Sequence, residues 1–428
     1  MALGVLTKGL IALLFPSAAA FLYLAITGDW RRWREFRLAS GIGLFLLVAA
    51  PWHILAGLRN AGGAGGHGFF WFYFVNEHFL RFLGKRYPRD YNKLPWALYW
   101  SLHLVWLFPW SLYLPAAIRT MVDQRKGSGA QRDFGARTRL LCWILAGVVL
   151  VFFAISTNQE YYTFPAYLPL LMLLADGVAG CEWNDCSGGV RKGWLRASAG
   201  ALAAAGIAAS VTLGVLLWQS RNLPFEPDIG NVLGAHNLDT DTLSTSHMLD
   251  LSYASFAALR LPAGLAAGAL LVAPLLSCAL RFRKRHYVAT WVLTAGMAVF
   301  LVAAHIALGR FGPYLSSKDL AREIAVRARP EDKVMIYGDQ AFGSSLLFYL
   351  RRPIELVEGR TTSMWFGSTF PDAPKIYLSD ADLVREWAGA GRVFLFVPPH
   401  QKARVDGLLA GKFVVAEVSG KFVYSNRP

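Results

Sequence analysis

The chain has 428 residues, of which 55% are hydrophobic and 17% are charged, and its mean hydropathy is +0.36. This balance excludes an ordinary soluble domain and indicates an integral membrane protein. The net charge of +15 could suggest nucleic acid as a partner. Much of that charge lies in short loops between apolar runs, so we expect membrane lipids to face it and predict no nucleic acid binding.

Eight apolar runs are long enough to cross the hydrocarbon core as helices, which takes roughly 20 residues each. They lie at about 9–28, 38–58, 95–118, 140–156, 163–180, 197–218, 260–280 and 287–309. We therefore predict a polytopic α-helical membrane domain over residues 1–309, with about eight transmembrane helices.

Lys and Arg residues are unequally shared between the two sets of loops. The loops near 29–38, 119–139, 181–196 and 281–286 hold 17 of them, and those near 59–94, 156–162 and 219–255 hold 7. Short cytoplasmic loops retain basic residues, so the first set is predicted to be cytoplasmic. The second set and both chain ends are then external.

Charged side chains are concentrated in one external stretch, Phe69–Pro95, with the sequence FFWFYFVNEHFLRFLGKRYPRDYNKLP. Charged groups at the depth of a membrane boundary usually have a function. Helical spacing places His78 about one turn from Arg81, with Glu77 adjacent, so a cation ligand and a partner for an anion could share one surface. The aromatic run before them is typical of an interfacial anchor.

Two further segments place polar groups at the same boundary: Lys8 in LTKG, and residues 156–162 in STNQEYYTFP. Helix ends there can converge on one cavity without exposing a charge to lipid. The rim of such a cavity would be cationic and suited to phosphate oxygens. Its basic residues are Lys8, Arg81, Lys85, Arg86 and Arg89. The alternative, that Lys85, Arg86 and Arg89 reach lipid headgroups instead, stays open.

The external loop 219–255 is rich in Asp, Asn, Thr and Ser and has neither helical nor strand periodicity, which predicts an irregular connector. Four of its side chains could be imagined as metal ligands, but their spacing matches no known cage, so we expect a solvated loop. They are His236, Asp239, Asp241 and His247.

From residue 310 onward, amphipathic helical runs alternate with β-rich runs, as in SSKDLAREIAVRA followed by VMIYGD. This alternation predicts an external, periplasmic α/β domain with a largely parallel sheet over residues 310–428. A segment of that size is long enough for its own core. We expect an accessory or lid-like role for it.

Five segments together resemble a known family. They are LTKGLIALLFP, PWHILAGLRN, FFWFYFVNEHFLRFL, YPRDYNKLP and STNQEYYTFPAYLPL. They are similar to segments of the protein O-mannosyltransferase superfamily (glycosyltransferase family 39-like), in the bacterial branch that includes the aminoarabinose transferase acting on lipid A. The resemblance covers most of residues 1–310 and is weaker for the C-terminal domain.

The resemblance implies a GT-C type glycosyltransferase of the bacterial inner membrane. Such an enzyme takes a sugar from a polyprenyl phosphate carrier and transfers it, with inversion, to an acceptor at the external face. The acceptor would be a lipid, a glycan or a protein.

The resemblance also implies roles for individual residues. His78 would be a ligand of a divalent metal cation, with Glu77 a weaker neighbour, and Arg81 would neutralise the leaving phosphate. Tyr162 would reach the same phosphate. Its rival is Tyr161, because adjacent helical residues point about 100° apart and only one can face inward. The phosphate-binding residues that we carry forward are Lys8, Arg81, Tyr162, Lys85 and Arg86.

The chain departs from the family pattern at its start. The family begins with a helix and a large external loop that carries the general-base Asp and an acidic metal partner, and nothing in residues 1–20 supplies either. LTKG resembles a segment about halfway through the membrane domain of the family. We therefore expect this chain to correspond to the C-terminal part of such an enzyme, with no catalytic residue of its own and no activity by itself.

Two other functions are kept as alternatives. One is a noncatalytic membrane protein that binds lipid-linked saccharide through His78, Arg81 and Tyr162. The other is a lipid or saccharide transporter, because charges within a polytopic bundle also mark translocation paths. The sequence shows no inverted repeat or paired broken helices, which disfavours the transporter.

Overall fold

The computed structural model describes residues 1–89, 93–127, 134–156, 159–183, 189–233, 251–361 and 364–428. A helical membrane part extends to Arg310, and a smaller α/β part follows it. The four loop residues considered above as metal ligands, His236, Asp239, Asp241 and His247, lie outside the described residues.

The helices of the membrane part follow the predicted apolar runs. They are α1 (Ala2–Lys8), α2 (Ile11–Thr27), α3 (Leu38–Arg59), α4 (Trp96–Trp106), α5 (Leu114–Gly127), α6 (Phe134–Ile155), α7 (Phe164–Trp183), α8 (Gly189–Gln219), α9 (Arg260–Phe282) and α10 (His286–Arg310). Within the described ranges, six helices are long and apolar enough to cross a membrane, or up to seven if one bent pair is a single span. The shorter α2 is apolar as well. The predicted multi-pass helical architecture is therefore confirmed.

The run 95–118 differs from the prediction. Helix α4 and the helical segment Trp110–Arg119 together meet the length and hydropathy of a span, but they are bent by 94° with respect to each other. Pro109 lies at the break, and proline has no N–H with which to continue the backbone ladder of a helix. The continuous span predicted here was wrong, and the segment is a broken span or a re-entrant loop.

The C-terminal part is an α/β domain built on one sheet. Its elements are α11 (Gly312–Leu315), α12 (Lys318–Arg327), β1 (Lys333–Tyr337), α13 (Gln340–Leu350), β2 (Glu355–Val357), β3 (Tyr377–Leu378), α14 (Asp380–Ala388), β4 (Val393–Val397), α15 (Lys402–Leu408), β5 (Phe413–Val418) and β6 (Lys421–Ser425).

The strand order is β3-β2-β1-β4-β6-β5. The first four strands in this order pair in parallel, and β6 and β5 extend the sheet by antiparallel pairing. All five residues of β4 are buried, as expected for a central strand with apolar cores on both faces. The predicted α/β domain with a largely parallel sheet is confirmed.

Polar contacts join the α/β domain to the membrane part. Within the α/β domain, Lys421 at the start of β6 binds the segment that directly follows α10, because its Nζ donates to three backbone carbonyls within residues 313–316, at 2.6 to 2.9 Å. Asp228, in the loop after α8, accepts from the backbone N–H of Ser419 at 2.8 Å and from its hydroxyl at 2.5 Å. The loop after α8 and the linker after α10 therefore lie on the face that carries the α/β domain, in agreement with the charge distribution in the sequence.

Candidate functional site

The charged stretch between α3 and α4 folds around a π-helix, Trp71–Leu80. π-helical turns are rare and occur frequently at functional sites. The amide of Asn76, which is fully buried, holds the returning chain against this helix. Its Nδ2 donates to the Tyr87 carbonyl at 2.8 Å, and its Oδ1 accepts from the Tyr87 N–H at 3.0 Å. The basic residues between these two positions are thereby kept beside the π-helix.

Glu77 organises the two arginines of this stretch. Its carboxylate accepts from Arg81 Nη1 at 3.2 Å and from Arg86 Nε at 2.8 and 3.0 Å. The side chains of Arg81, Glu77 and Arg86 are 29%, 17% and 12% exposed. We refer to these three residues as the arginine cluster. Arg86 also donates from Nη1 to the Pro88 carbonyl at 2.7 Å, so Arg81 is the more exposed of the two arginines.

The arginine cluster is joined to the segment that precedes α7. Arg81 Nη2 donates to the hydroxyl of Tyr162 at 3.0 Å, and the ring of Tyr162 packs against Phe153 of α6, with centroids 5.3 Å apart. The neighbouring Tyr161 is 42% exposed. The structure therefore brings Tyr162 to Arg81, and the choice of Tyr162 over Tyr161 as the phosphate partner stays a prediction.

His78 joins the π-helix to the break between α1 and α2. Its Nδ1 lies 2.5 Å from the Tyr73 carbonyl, and its Nε2 accepts from the Leu10 N–H at 3.1 Å. Bonding to a carbonyl requires the proton on Nδ1, which leaves Nε2 as the acceptor. Gly9 has a φ of +95°, and a Cβ built there would lie 2.9 Å from His78 Nε2. The LTKG segment is thus held against the π-helix.

Three of the basic residues predicted for the rim of the cavity have exposed side chains. They are Lys8, Lys85 and Arg89. Among the residues that the structure describes, Lys8 and Lys85 make no side-chain hydrogen bond or ion pair, so both ammonium groups are available to a ligand or to lipid headgroups.

His78 and Glu77, the residues predicted to hold a metal, are both engaged by other groups of the protein. In the described part of the chain, no three His, Cys, Asp or Glu side chains come together. The Glu77 carboxylate faces two guanidinium groups, and both ring nitrogens of His78 are hydrogen bonded to backbone atoms. A divalent cation at this position stays a prediction from sequence, and no step is assigned to it.

The sequence reasoning missed two contributors to the site. Asn76 could have been found, because it is an amide within an otherwise apolar aromatic run directly before Glu77. The second contributor is the stack of Phe72 on Phe366 of the α/β domain, whose ring centroids lie 4.1 Å apart. No local sequence pattern marks that contact.

No family model matches the chain, but it is similar to several known proteins. Over 177 residues, the chain is 32% identical to undecaprenyl phosphate-alpha-4-amino-4-deoxy-L-arabinose arabinosyl transferase of Pseudomonas aeruginosa (strain UCBPP-PA14), which covers 40% of this chain and 28% of the relative. It is 29% identical over 219 residues to the protein of the same name from Pectobacterium carotovorum subsp. carotovorum (strain PC1), covering 50% of this chain and 36% of that protein.

The match therefore spans about a third of the length of these relatives. The chain is homologous to these arabinosyl transferases, and the resemblance found in its sequence segments is confirmed.

Solved structures extend the likeness in fold to almost the whole chain. ArnT from Cupriavidus metallidurans bound to undecaprenyl phosphate matches with a TM-score of 0.68, covering 99% of this chain and 67% of that chain at 22% identity. The apo state of the same protein matches with a TM-score of 0.66, covering 99% and 66% at 21% identity. The GT-C membrane fold with a C-terminal sheet domain is therefore confirmed.

Proposed function

We propose that this chain belongs to a glycosyltransferase of the bacterial inner membrane that uses a sugar linked to undecaprenyl phosphate. The observation that supports this function most directly is the bond between Arg81 and Tyr162, which joins two segments of the chain at an accessible cationic site. The homologous arabinosyl transferases are named for a sugar donor carried on undecaprenyl phosphate.

The geometry suits recognition of the phosphate of such a donor. A guanidinium group is planar and permanently charged, and it can donate two parallel hydrogen bonds to phosphate oxygens. Glu77 and Tyr162 fix the orientation of Arg81 before a donor arrives, and the exposed Lys8 and Lys85 can add positive charge. Cations that are preorganised in this way stabilise the negative charge that develops as the carrier phosphate leaves.

In this proposal the described residues bind and stabilise the phosphate, and the proton of the acceptor is not assigned to them. Glu77 orients the two arginines in this proposal, because its carboxylate accepts hydrogen bonds from both guanidinium groups. The acceptor is proposed to be a lipid at the external face, with a glycan or a protein as the other possibilities. The α/β domain is proposed to be periplasmic.

Binding of undecaprenyl phosphate to the purified chain in detergent tests the proposal. We expect Arg81→Gln to weaken binding by about tenfold to a hundredfold, since a hydrogen bond to a charged group contributes roughly 1.5–3 kcal/mol. The control is Arg59→Gln, because Arg59 is an exposed arginine at the end of α3 outside the cluster. Equal affinity of wild type and Arg81→Gln would contradict the proposal.

A transfer assay with undecaprenyl phosphate-linked aminoarabinose tests whether this chain is active by itself. We expect binding that depends on Arg81 without any transfer, because the general base is not assigned to the described residues. Release of the free carrier in the presence of an acceptor lipid would contradict that expectation and would exclude the noncatalytic alternative.

A further inference from the structure

A short loop of the α/β domain, residues 364–370 between β2 and β3, contacts the arginine-bearing stretch, and we call it the aromatic loop. We propose that the aromatic loop positions the arginine cluster for the donor phosphate, so that donor affinity depends on the docked α/β domain. This inference rests on the proposed function for its ligand. It makes Trp365 and Phe366 positioning residues, which act through the π-helix and do not touch the phosphate themselves.

The first contact lies on the π-helix. The ring of Phe366 is stacked on that of Phe72, with centroids 4.1 Å apart and planes inclined by 8°. Phe366 is only 7% exposed, although it lies in a loop, so the stack is a closed interface. Phe72 lies on the same π-helix as Asn76 and Glu77. A displacement of Phe366 would therefore displace the π-helix, which also bears the Glu77 carboxylate of the arginine cluster.

The second contact lies on the returning chain. Trp365 packs edge to face against Tyr87, with ring centroids 4.8 Å apart and planes at 89°. The backbone of Tyr87 is the partner of the buried Asn76 amide, and Tyr87 directly follows Arg86. The two rings of the aromatic loop thus contact the π-helix and the returning chain, which are the two arms that hold Arg81 and Arg86.

A third approach reaches the beginning of the same external stretch. A Cβ added to Gly63 would lie 2.9 Å from Phe370 Cζ, so the two chains are in close contact there. The rings of Phe366 and Phe370 are themselves 5.2 Å apart and nearly perpendicular. The aromatic loop therefore contacts the stretch between α3 and α4 at several separate points.

The aromatic loop is braced from within, as a positioning element has to be. It contains a 3-10 turn, Gly367–Thr369, and its hydroxyls bond to its own backbone. Ser368 Oγ donates to the Trp365 carbonyl at 2.8 Å, and Thr369 Oγ1 donates to the Phe366 carbonyl at 2.6 Å. These bonds fix the two residues whose rings contact the membrane part.

Hydrogen–deuterium exchange on the full chain tests the coupling without any ligand. We expect Phe366→Ala to raise exchange in residues 76–87 while β1 and β4 stay protected, because the stack is lost but the sheet core is intact. Phe72→Ala removes the same stack from the membrane side and should give the same local increase. Phe348→Ala is the control, since Phe348 is a 68% exposed phenylalanine of the α/β domain. Unchanged exchange in residues 76–87 in both stack variants would overturn the proposal.

Affinity for undecaprenyl phosphate tests the consequence for the donor. An aromatic pair contributes roughly 0.5–1.5 kcal/mol beyond the area that it buries, so each stack variant should bind about twofold to tenfold more weakly. The double variant should bind no more weakly than either single one, and Phe366→Tyr, which keeps the stack, should bind like wild type. Raised exchange with unchanged affinity would overturn the positioning role. If the wild-type chain binds no undecaprenyl phosphate, the proposed function is wrong, and so is the ligand assumed for the arginine cluster. The exchange data would still show whether the aromatic loop holds the arginine cluster in place.

Discussion

Two arginine–glutamate pairs lie at the two ends of α7, and they differ in how fully they are enclosed. At the external end, Glu77 bonds to Arg81 and Arg86 in a cluster whose side chains are 12% to 29% exposed. At the other end, Arg281 of α9 bonds to Glu182 of α7 at 2.9 Å, and the Arg281 side chain is 0% exposed. In the first arrangement all three side chains are partly exposed, whereas in the second Arg281 is fully buried and only Glu182 retains some exposure, at 12%.

The enclosed pair is completed by a hydroxyl and an aromatic ring. Thr290 of α10 accepts from Arg281 Nη2 at 2.8 Å and donates to Glu182 at 2.5 Å. The guanidinium group lies 5.2 Å from the ring centre of Tyr113. This network connects α7, α9 and α10 at the predicted cytoplasmic face. It shows that an ion pair within the bundle can be structural, so the accessibility of the external cluster is what supports its role in binding.

Replacing the glutamate by glutamine at each end tests this comparison. We expect the largest effect of all our predictions from the buried pair. Glu182→Gln leaves the fully buried Arg281 without a counter-charge, which should lower the free energy of unfolding by about 3–5 kcal/mol. Glu77→Gln affects partly exposed arginines that water can solvate, so we expect a loss of about 1 kcal/mol or less. Thermal unfolding of both variants in one detergent measures the difference.

Equal destabilisation by the two variants would show that the external cluster is as structural as the enclosed one. The control is Arg283→Met, because Arg283 is an exposed arginine just beyond α9. We expect this change to alter stability by less than about 0.5 kcal/mol, as for a surface substitution without special contacts.

The sequence predicted correctly those features that depend on residues close together in the chain. Apolar runs marked the membrane helices, and alternating runs marked the α/β domain. The break at Pro109 was missed because hydropathy averages over a window and is insensitive to a bend. The bond between Arg281 and Glu182 joins residues 99 positions apart, and the basic loop residues near 281 were read only as topological charge.

The external site shows the same limit. The sequence could indicate that His78, Glu77 and Arg81 lie together, because residues that are close in the sequence at helical spacing are neighbours in space. Tyr162 lies 81 positions from Arg81, and only the resemblance to a family connected the two. The contacts of the aromatic loop join the two domains, and no periodicity encodes them.

A second buried cation, Lys421, differs from Arg281 because its hydrogen-bond partners are backbone carbonyl groups. Burial lowers the pKa of Lys421 to about 8, from 10.5 in the unfolded chain, while Asp228 and Asp319 act in the opposite direction. Between these two pKa values the unfolded chain binds more protons than the folded one, so the free energy of unfolding of the wild type should rise with pH. The rise should be up to about 1.4 kcal/mol per pH unit above pH 8.

The contribution of Lys421 to the pH dependence of stability is obtained by comparing the wild type with a variant that lacks this amino group. Thermal unfolding of wild type and Lys421→Met is compared from pH 7 to pH 10, and the part of the slope that depends on Lys421 should vanish in the variant. Lys375→Met serves as the control, because Lys375 is an exposed lysine of the same domain. A wild-type slope that persists in Lys421→Met would mean that Lys421 keeps its proton throughout and that the carbonyl cage alone compensates its burial.

The smallest effect that we expect concerns the hydroxyl of Tyr162. It tests whether this hydroxyl orients the Arg81 guanidinium group for the phosphate. Tyr162→Phe removes the hydroxyl that accepts from Arg81 at 3.0 Å and leaves the packing of the ring on Phe153 in place. A net hydrogen bond contributes roughly 0.5–1.5 kcal/mol, so affinity for undecaprenyl phosphate should fall by about twofold to tenfold, with little change in thermal stability. Tyr161→Phe, at the exposed neighbour, should leave the affinity unchanged. The reverse ranking of these two variants would show that Tyr161 faces the phosphate, and the bond between Tyr162 and Arg81 would then be a structural link like the one between Thr290 and Arg281.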